Sequence, residues 1–462
     1  MSNEEMRAAV FAKKKGFAVF VEEWGERTWL EYYAQTFPDL QKPSPAILSA
    51  IEYESGAILG REVGRKARES VASKKWVSSA DHHGLLCHPY FYSSALAQSD
   101  GRVRREAEAL VTLPFGNISL GNDSFPRGFF FHDANFEPHH FLFKSLRERS
   151  LPVCALAPVS RENFLKECDR VRVVPLSHEA RSRLTAFLET LRDSEMVWSQ
   201  EMYGAQLTAM NAILWRTLFG SVRGELVYLE IDSVVRRLLL EKHLVKETCI
   251  QRLLCDATWR AAYEELFSGV SGSHTESSGT HFFWYVDRVR CIRRSLRVQG
   301  DVLTTEDGEV EIPLSPESLS EKLHARDIVP SSALLLLIVH AEEKLACAGG
   351  LSQLDYLPHM MKQWRLLLER FSEALEDVPH TGIFAGEQVL FSIADAMQKE
   401  KIASLLDLLL YGSAHGSMIE RALETMPLAV TIDAMMPTLY WLVTRMRVVA
   451  HPTPYLSRIT LS

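Results

Sequence analysis

The chain of 462 residues lacks most of the features that assign a protein to a class at sight. Its seven cysteines, at 87, 154, 168, 249, 255, 291 and 347, form neither a CxxC pair nor an even set, which argues against finger-type zinc and against a disulfide framework. Most read as small buried apolar groups. Long apolar runs are missing as well. The longest, Ala333 to Val339, falls far short of the roughly 20 residues that cross a bilayer. The amino terminus opens Met-Ser-Asn-Glu-Glu and reaches no signal-type apolar core before Lys13-Lys14-Lys15, so a cytoplasmic protein is expected. Positive charge is not in excess. With a formal net charge of -8, neither nucleic acid nor an anionic membrane is expected as a partner. The densest basic group, Arg288, Arg290, Arg293, Arg294 and Arg297, reads as solvated strand-face charge, with an anionic ligand as the sharper alternative.

What is present has the balance of an ordinary globular protein, 47% apolar and 24% charged. The length exceeds what one core usually serves, so several regions are expected. A helical segment covers 1–75, within which Ser44 to Ser73 reads as one amphipathic helix. Gly56, Gly60 and Gly64 lie inside it before Arg65-Lys66, but no Gly-Lys-Ser/Thr closes a phosphate loop, and a four-residue glycine period suits close helix packing better. An α/β core covers 76–268. There, Trp76 to Ala80, Ala109 to Leu113, Gly128 to His132, Val153 to Pro158 and Leu226 to Ile231 read as buried strands, and helical patterns lie between most of them, notably Glu162 to Cys168, Ser177 to Leu191 and Val197 to Leu218. That alternation implies a Rossmann-like, mainly parallel sheet covered on both faces.

An antiparallel region covers 269–330. It opens with the polar loop Ser271 to Thr280, followed by strands at His281 to Asp287 and Leu296 to Ile312. A helical region covers 331–462, with helices expected at Pro316 to His324 (just before its start), Ser332 to Lys344, Tyr356 to Leu375, Gly386 to Tyr411 and Ser417 to Val448. The simplest role for these last helices is a helical cap or the surface of a homodimer.

Histidine is the feature in excess. Six of the sixteen histidines fall between His82 and His140, where an even spread would place about two. They form two clusters, Asp81-His82-His83-Gly84-Leu85-Leu86-Cys87-His88-Pro89 and His132-Asp133-Ala134-Asn135-Phe136-Glu137-Pro138-His139-His140. Histidine carries protons and binds metals near neutral pH. Each cluster begins where an expected strand stops, the position at which open α/β sheets bind ligands, so the two can face one crevice. Three readings stay open. In the first, His82 or His83 carries a proton, with Asp81, His132 and Asp133 as further catalytic candidates fixing tautomers or charge. In the second, His82, His83 and His132 ligate zinc, iron or manganese, although no HExxH or helical HxxxH spacing supports it. In the third, the rings are hydrogen-bonded structural groups. Cys87, close to His83 and His88, reads either as an activated thiolate or, more simply, as a buried apolar cysteine.

Between the clusters runs Leu113 to Gly128, with Gly116, Asn117, Gly121, Asn122 and Arg127. A long irregular loop in an α/β domain is usually functional. Backbone N–H groups from Gly116 to Gly121 and the forked guanidinium of Arg127 suit a carboxylate or phosphate.

Two segments resemble one family, the bacillithiol-synthesis cysteine-adding enzymes. That family carries Gly-Gln-Gln-x-Gly-Leu-x-x-Gly-Pro-Leu-Tyr after its first core strand. In the stretch from Ala80 to Phe91, Gly84, Leu85 and Pro89 match, while Ala80, Asp81 and His82 replace Gly-Gln-Gln. Its later Gly-Pro-Gly-Glu-x-x-Tyr turn is similar to Gly350 to Tyr356, where Gly350 and Tyr356 match and Gln353 replaces the acid. The resemblance covers about half of the chain by order of elements. It implies a Rossmann-like core, helices used in dimerisation, and a ligase or transferase joining an amine or thiol to a carboxylate-type small molecule. The expected site then comprises the residues named above, with Gly84, His88, Gln353 and Tyr356 beside the substrate. A nucleotide or a divalent metal is the cofactor such chemistry would use. The alternatives are a metal-dependent hydrolase or oxygenase built on the histidines, and a non-catalytic binding or scaffold protein.

Overall fold

The computed structural model describes residues 2–37, 40–104, 107–122, 127–275, 278–373, 381–386, 388–395, 397, 399–412, 416–446 and 457–460. At its centre lies a four-stranded sheet of Trp76–Ser78, Ala109–Thr112, Glu225–Tyr228 and Ala346–Ala348, in the spatial order fourth, first, second, third. Every pairing is parallel. Side chains alternate between two apolar clusters: Trp76, Leu110, Leu226 and Tyr228 enter one, and Val77, Ala109, Val111 and Val227 the other. Burial on both faces explains why these strands read as unbroken apolar runs. The helices Pro89–Gln98 and Tyr203–Phe219 cover the first face, while Pro45–Leu59, Arg61–Lys74 and Ile231–Leu238 cover the second. The chain is therefore a mixed α/β protein. No helix among the described residues is long and apolar enough to cross a membrane.

Several expectations are corrected. Ser44 to Ser73 is two helices, because Gly60 sits at φ 96° and ends the first, a backbone conformation that costs glycine nothing. The glycine period is helix packing, since Gly64 lies against the backbone of Glu52 and Gly56. Phe129–His132 is a strand, but it forms a separate hairpin with Pro138–Phe141. Val153–Ala155 is a single 3-10 turn. The fourth core strand, Ala346–Ala348, lies inside the stretch expected to be helical. Its Ala-Cys-Ala carries no β-branched residue to announce it, and full burial overrides that weak propensity. The stretch from Gly386 to Tyr411, of which 387, 396 and 398 lie outside the described residues, contains the strands Phe391–Ala394 and Glu400–Ile402, and only Leu405–Tyr411 is helical. Ser417 to Val448 breaks into Gly416–Thr425, Leu428–Asp433 and Met436–Thr444, with Pro427 and Pro437 at the starts of the latter two, where proline is tolerated; 447 and 448 lie outside the described residues.

The layers do not follow the expected regional boundaries. Helices from before residue 75 cover the sheet, and a strand from beyond 331 completes it. Where the strand order reverses, between the first and fourth strands, a ligand crevice is the usual expectation. Here it is filled. Gly349 exchanges backbone hydrogen bonds with Ile383 and Ala385, and Gly386 packs on Ala80. The cavities lie instead beyond the second and third strands, one lined by Ser119 to Asn122 and the other by Leu229 and Glu230.

Candidate active site

The first strand runs on through Ser79 and Ala80 into Asp81, His82 and His83. His83 N–H donates to the Phe115 carbonyl at 2.8 Å, and Phe115 N–H to the Asp81 carbonyl at 2.8 Å, which ties the first two strand ends together. The third strand ends in Leu229-Glu230-Ile231-Asp232, so two acids follow directly on buried strand residues. Glu230 and Asp232 are 5% and 4% exposed, and His83 is fully buried.

The hydrogen bonds fix the His83 tautomer. The Thr208 hydroxyl donates to the Tyr228 carbonyl at 2.8 Å. His83 Nε2 lies 3.3 Å from both of these oxygens. Both can only accept from it, so Nε2 carries the proton and Nδ1 is bare. Nδ1 faces Glu230 Oε1 at 3.8 Å, and neither atom has a hydrogen-bond partner. Burial, then the neighbouring Asp232 charge, pushes Glu230 up to about 8. Burial, then Arg127, pushes His83 down to about 3. At neutral pH the pair is thus a carboxylic acid facing a neutral imidazole, not an ion pair. Glu230 lies closely against Gly204 at the start of Tyr203–Phe219, where a Cβ would overlap its carboxyl. Together with Thr208, Met202, Glu54, Ser233 and Arg326, it lines a cavity of about 310 Å³.

The loop after the second strand does not offer its backbone to a ligand. Gly116 and Asn117 N–H groups donate to Asp232 Oδ2 at 2.6 and 3.1 Å, so the anion they hold is the protein's own carboxylate. Burial raises Asp232 to about 7 although these bonds pull it down. Leu120, Gly121 and Asn122 N–H groups donate to the carbonyls of Leu151, Arg149 and Ser119. The Asn117 side chain donates to the Pro330 carbonyl at 3.0 Å, and Arg293 caps the Asn117 carbonyl. Residues 123–126 of this loop lie outside the described residues.

Arg127, by contrast, keeps donors that the protein leaves unused. It is 2% exposed and donates from Nη1 to the His83 carbonyl at 3.2 Å, while Nε and Nη2 have no partner. Gly84 makes room for it: a Cβ there would lie 2.7 Å from Arg127 Cβ and 3.0 Å from Cδ. Burial lowers Arg127 to about 10, against the pull of Asp81, so it remains charged at neutral pH. It lines a second cavity, of about 530 Å³, with Ser119, Asn122, His140, Arg149 and Ser150. His82 is held down to about 3 by burial, with Arg127 and Arg293 adding to it.

The second histidine cluster reaches this rim through His140, whose Nε2 lies 3.3 Å from the Arg127 carbonyl and whose charge adds to the burial that holds His88 of the first cluster down to about 3. His132 points elsewhere. Its Nδ1 lies 2.8 Å from Asp407 Oδ2, its N–H donates to Oδ1 at 2.7 Å, and its carbonyl accepts from Tyr411 OH. Asp133 organises the hairpin turn, accepting from Asn135 and Glu137 N–H groups and contacting His139 Nε2. His88 caps Pro89–Gln98 through Nδ1. Gln353 is bound to Ser79 and the Cys347 carbonyl, and Tyr356 packs by Gly272. These five residues hold the fold together and line neither cavity. The Cys87 thiol, buried and raised well above its ordinary value, is a core group. The arginines from 288 to 297 are largely engaged: Arg290 and Arg294 pair with acids, and Arg288 and Arg297 cap carbonyls.

His82, His83 and His132 do not form a ligand set. Among the described residues, the group whose ligand atoms converge within one ion's reach is Glu264, His274 and His281, which the spacing of the two clusters did not signal. His274 and His281 Nε2 lie 2.9 and 3.3 Å from Glu264 Oε2. His281 Nδ1 accepts from Val298 N–H at 3.1 Å, which places the neutral ring's proton on Nε2, so an ion there competes with that proton.

Sequence reading also missed Glu230 and Asp232. The available signal was two acids at the end of an apolar strand in an α/β core. Compared with known protein families and with curated proteins, the chain matches none.

Proposed function

We propose that the protein is an enzyme acting on a small polar metabolite at the ends of the first three core strands, of a ligase or transferase kind, joining an amine or thiol to a carboxylate-type partner. One observation carries the reading: Glu230 and His83, buried 3.8 Å apart, are shifted in opposite directions, to about 8 and about 3, and Glu230 opens on a cavity. Neighbouring titratable groups whose surroundings drive them apart mark an acid and a base. Glu230, the member that lines the cavity, donates its proton outward to a leaving group or inward to bare His83 Nδ1, and the carboxylate so formed takes the nucleophile's proton. A nucleophile must lose a proton and a leaving group gain one, and this pair serves both needs. The Rossmann-like reading rests on the parallel sheet and on a site at its strand ends.

The test is a thermal-shift panel of carboxylates, amines, thiols and nucleotides, followed by turnover assays of the compounds that stabilise the chain. A ligand at a hundred times its dissociation constant adds about 2.7 kcal/mol. Glu230→Gln keeps the shape of the site, so it retains that stabilisation and loses turnover; turnover equal to the wild type would end the proposal. A second reading, metal-dependent hydrolysis or oxygenation, moves from the two clusters to Glu264, His274 and His281, the group that can hold an ion. Elemental analysis of protein purified without a histidine tag, beside His274→Ala, decides it.

A further inference from the structure

We infer that the cavity of about 530 Å³ beside Arg127 is a binding site for a compact doubly charged oxyanion, such as a phosphoryl group or the two carboxylates of a small diacid. The inference deepens the proposed reaction by naming a charge class for one substrate, and it rests on that reading only for the word substrate; the site itself stands on its own geometry.

A guanidinium that is 2% exposed and has two of its donor nitrogens unpartnered is costly unless something pairs with it. Among the described residues no carboxylate meets it. Asp81 attracts it through its charge, and Arg293 adds like charge. The fold nonetheless commits residues to holding it there. Gly84 clears the space its side chain crosses, and the His83 carbonyl takes one of its donors. Around the same cavity stand Arg149, whose Nε caps the Lys144 carbonyl, and His140, whose Nε2 contacts the Arg127 carbonyl. Ser119, Asn122 and Ser150 add polar groups suited to further oxyanion contacts. Among the described residues no acidic side chain lines the cavity. Two fixed positive charges call for two negative ones. Leu120, Leu142 and Leu146 on the remaining wall leave room for an apolar stem.

The arrangement has a consequence that a merely basic surface lacks. Burial pushes His140 below the ordinary histidine range, against the pull of the Arg127 carbonyl and with the charges of Arg149 and Arg127 adding to the shift. A dianion seated between the two arginines cancels their field and lets His140 take up a proton. Binding of a dianion that does not itself titrate is then expected to tighten as pH falls from 8 to 6, by at most about tenfold per pH unit for one linked proton.

Sulfate is the probe, because it stays doubly charged across that range; phosphate and malonate follow, to separate phosphoryl from dicarboxylate preference. Titration calorimetry on the full chain is expected to show one sulfate site that weakens about 10- to 100-fold in Arg127→Met, the worth of one or two charge-assisted bonds. Arg149→Gln, altered at the rim, weakens it less, and His140→Gln removes the pH dependence while retaining binding. Circular dichroism checks that each variant is folded; if Arg127→Met is not, Arg149→Gln and His140→Gln carry the test. No saturable sulfate, phosphate or malonate binding, or binding that all three folded variants share with the wild type, overturns the inference. Neither result touches the turnover test on Glu230→Gln, so the two proposals fail separately.

Discussion

The two histidine clusters, alike in composition, are treated in opposite ways by the fold. Around His132 and Asp133 polar groups are matched: ring to Asp407, carbonyl to Tyr411, carboxylate to two turn amides and His139. Around His82 and His83 the neighbouring Arg127, Glu230 and Asp232 each keep a buried polar atom without a hydrogen bond. Matched groups are stabilising and finished; unmatched ones are a standing cost that a ligand can relieve. Composition marked both places equally, and only the partners tell them apart.

The largest expected effect comes from breaking the matched cluster. His132→Ala leaves the fully buried Asp407 short of a partner and is expected to cost about 3 kcal/mol or more in denaturant unfolding, while sulfate binding to the correctly folded protein stays unchanged. If that substitution instead abolished sulfate binding at intact stability, the two clusters would be one site after all. Next comes pH. Glu230 is held near 8 when folded against an ordinary 4.5, so the unfolded chain ionises first and stability falls as pH rises between those values. Glu230→Gln is therefore expected to gain on the wild type across that window, on the order of a few kcal/mol. His83 works in the other direction. Near 3 when folded against 6.5, it withdraws stability as pH falls below 6.5, a loss that His83→Gln should remove in an acid titration followed by circular dichroism.

Gly84→Ala crowds Arg127 and is expected to cost about 1–3 kcal/mol, as overpacking does, and to weaken sulfate binding as well. A variant that lost stability but bound sulfate normally would separate the guanidinium's packing from its charge. Smallest is Tyr411→Phe, which removes one hydrogen bond to the His132 carbonyl, worth about 1 kcal/mol in thermal unfolding.

Three of the core strands were legible because burial on both faces writes an apolar run into the sequence, as at Leu110, Val111, Leu226 and Val227. Helix starts were legible where a cap announces them, as with Ser315 and Pro316. Ala346–Ala348 was not, since three small residues carry no period. Within the site, Arg127 and the first histidine cluster stood out by residue type, and Asn122 by its loop. Glu230 and Asp232 looked like ordinary strand-end acids, because what makes them unusual is enclosure by Gly116, Gly204 and Cys154, residues up to about 115 positions away. The backbone of Gly116 and Asn117 was read as facing a ligand anion, and sequence could not reveal that its N–H groups donate to Asp232.

The return of Ala346–Ala348 to lie beside Trp76–Ser78 sets a schedule for the nascent chain. Trp76 pairs with Ala346, so the sheet cannot close on the ribosome until the chain has been made as far as residue 348. Until then the first strand is an open edge, apolar on both faces, of the kind that recruits other chains. Closing so long a loop is slow. Products ending before residue 346 are expected to aggregate when refolded, while a product that reaches the end of the helix Leu351–Arg370 has every strand of the core sheet in hand.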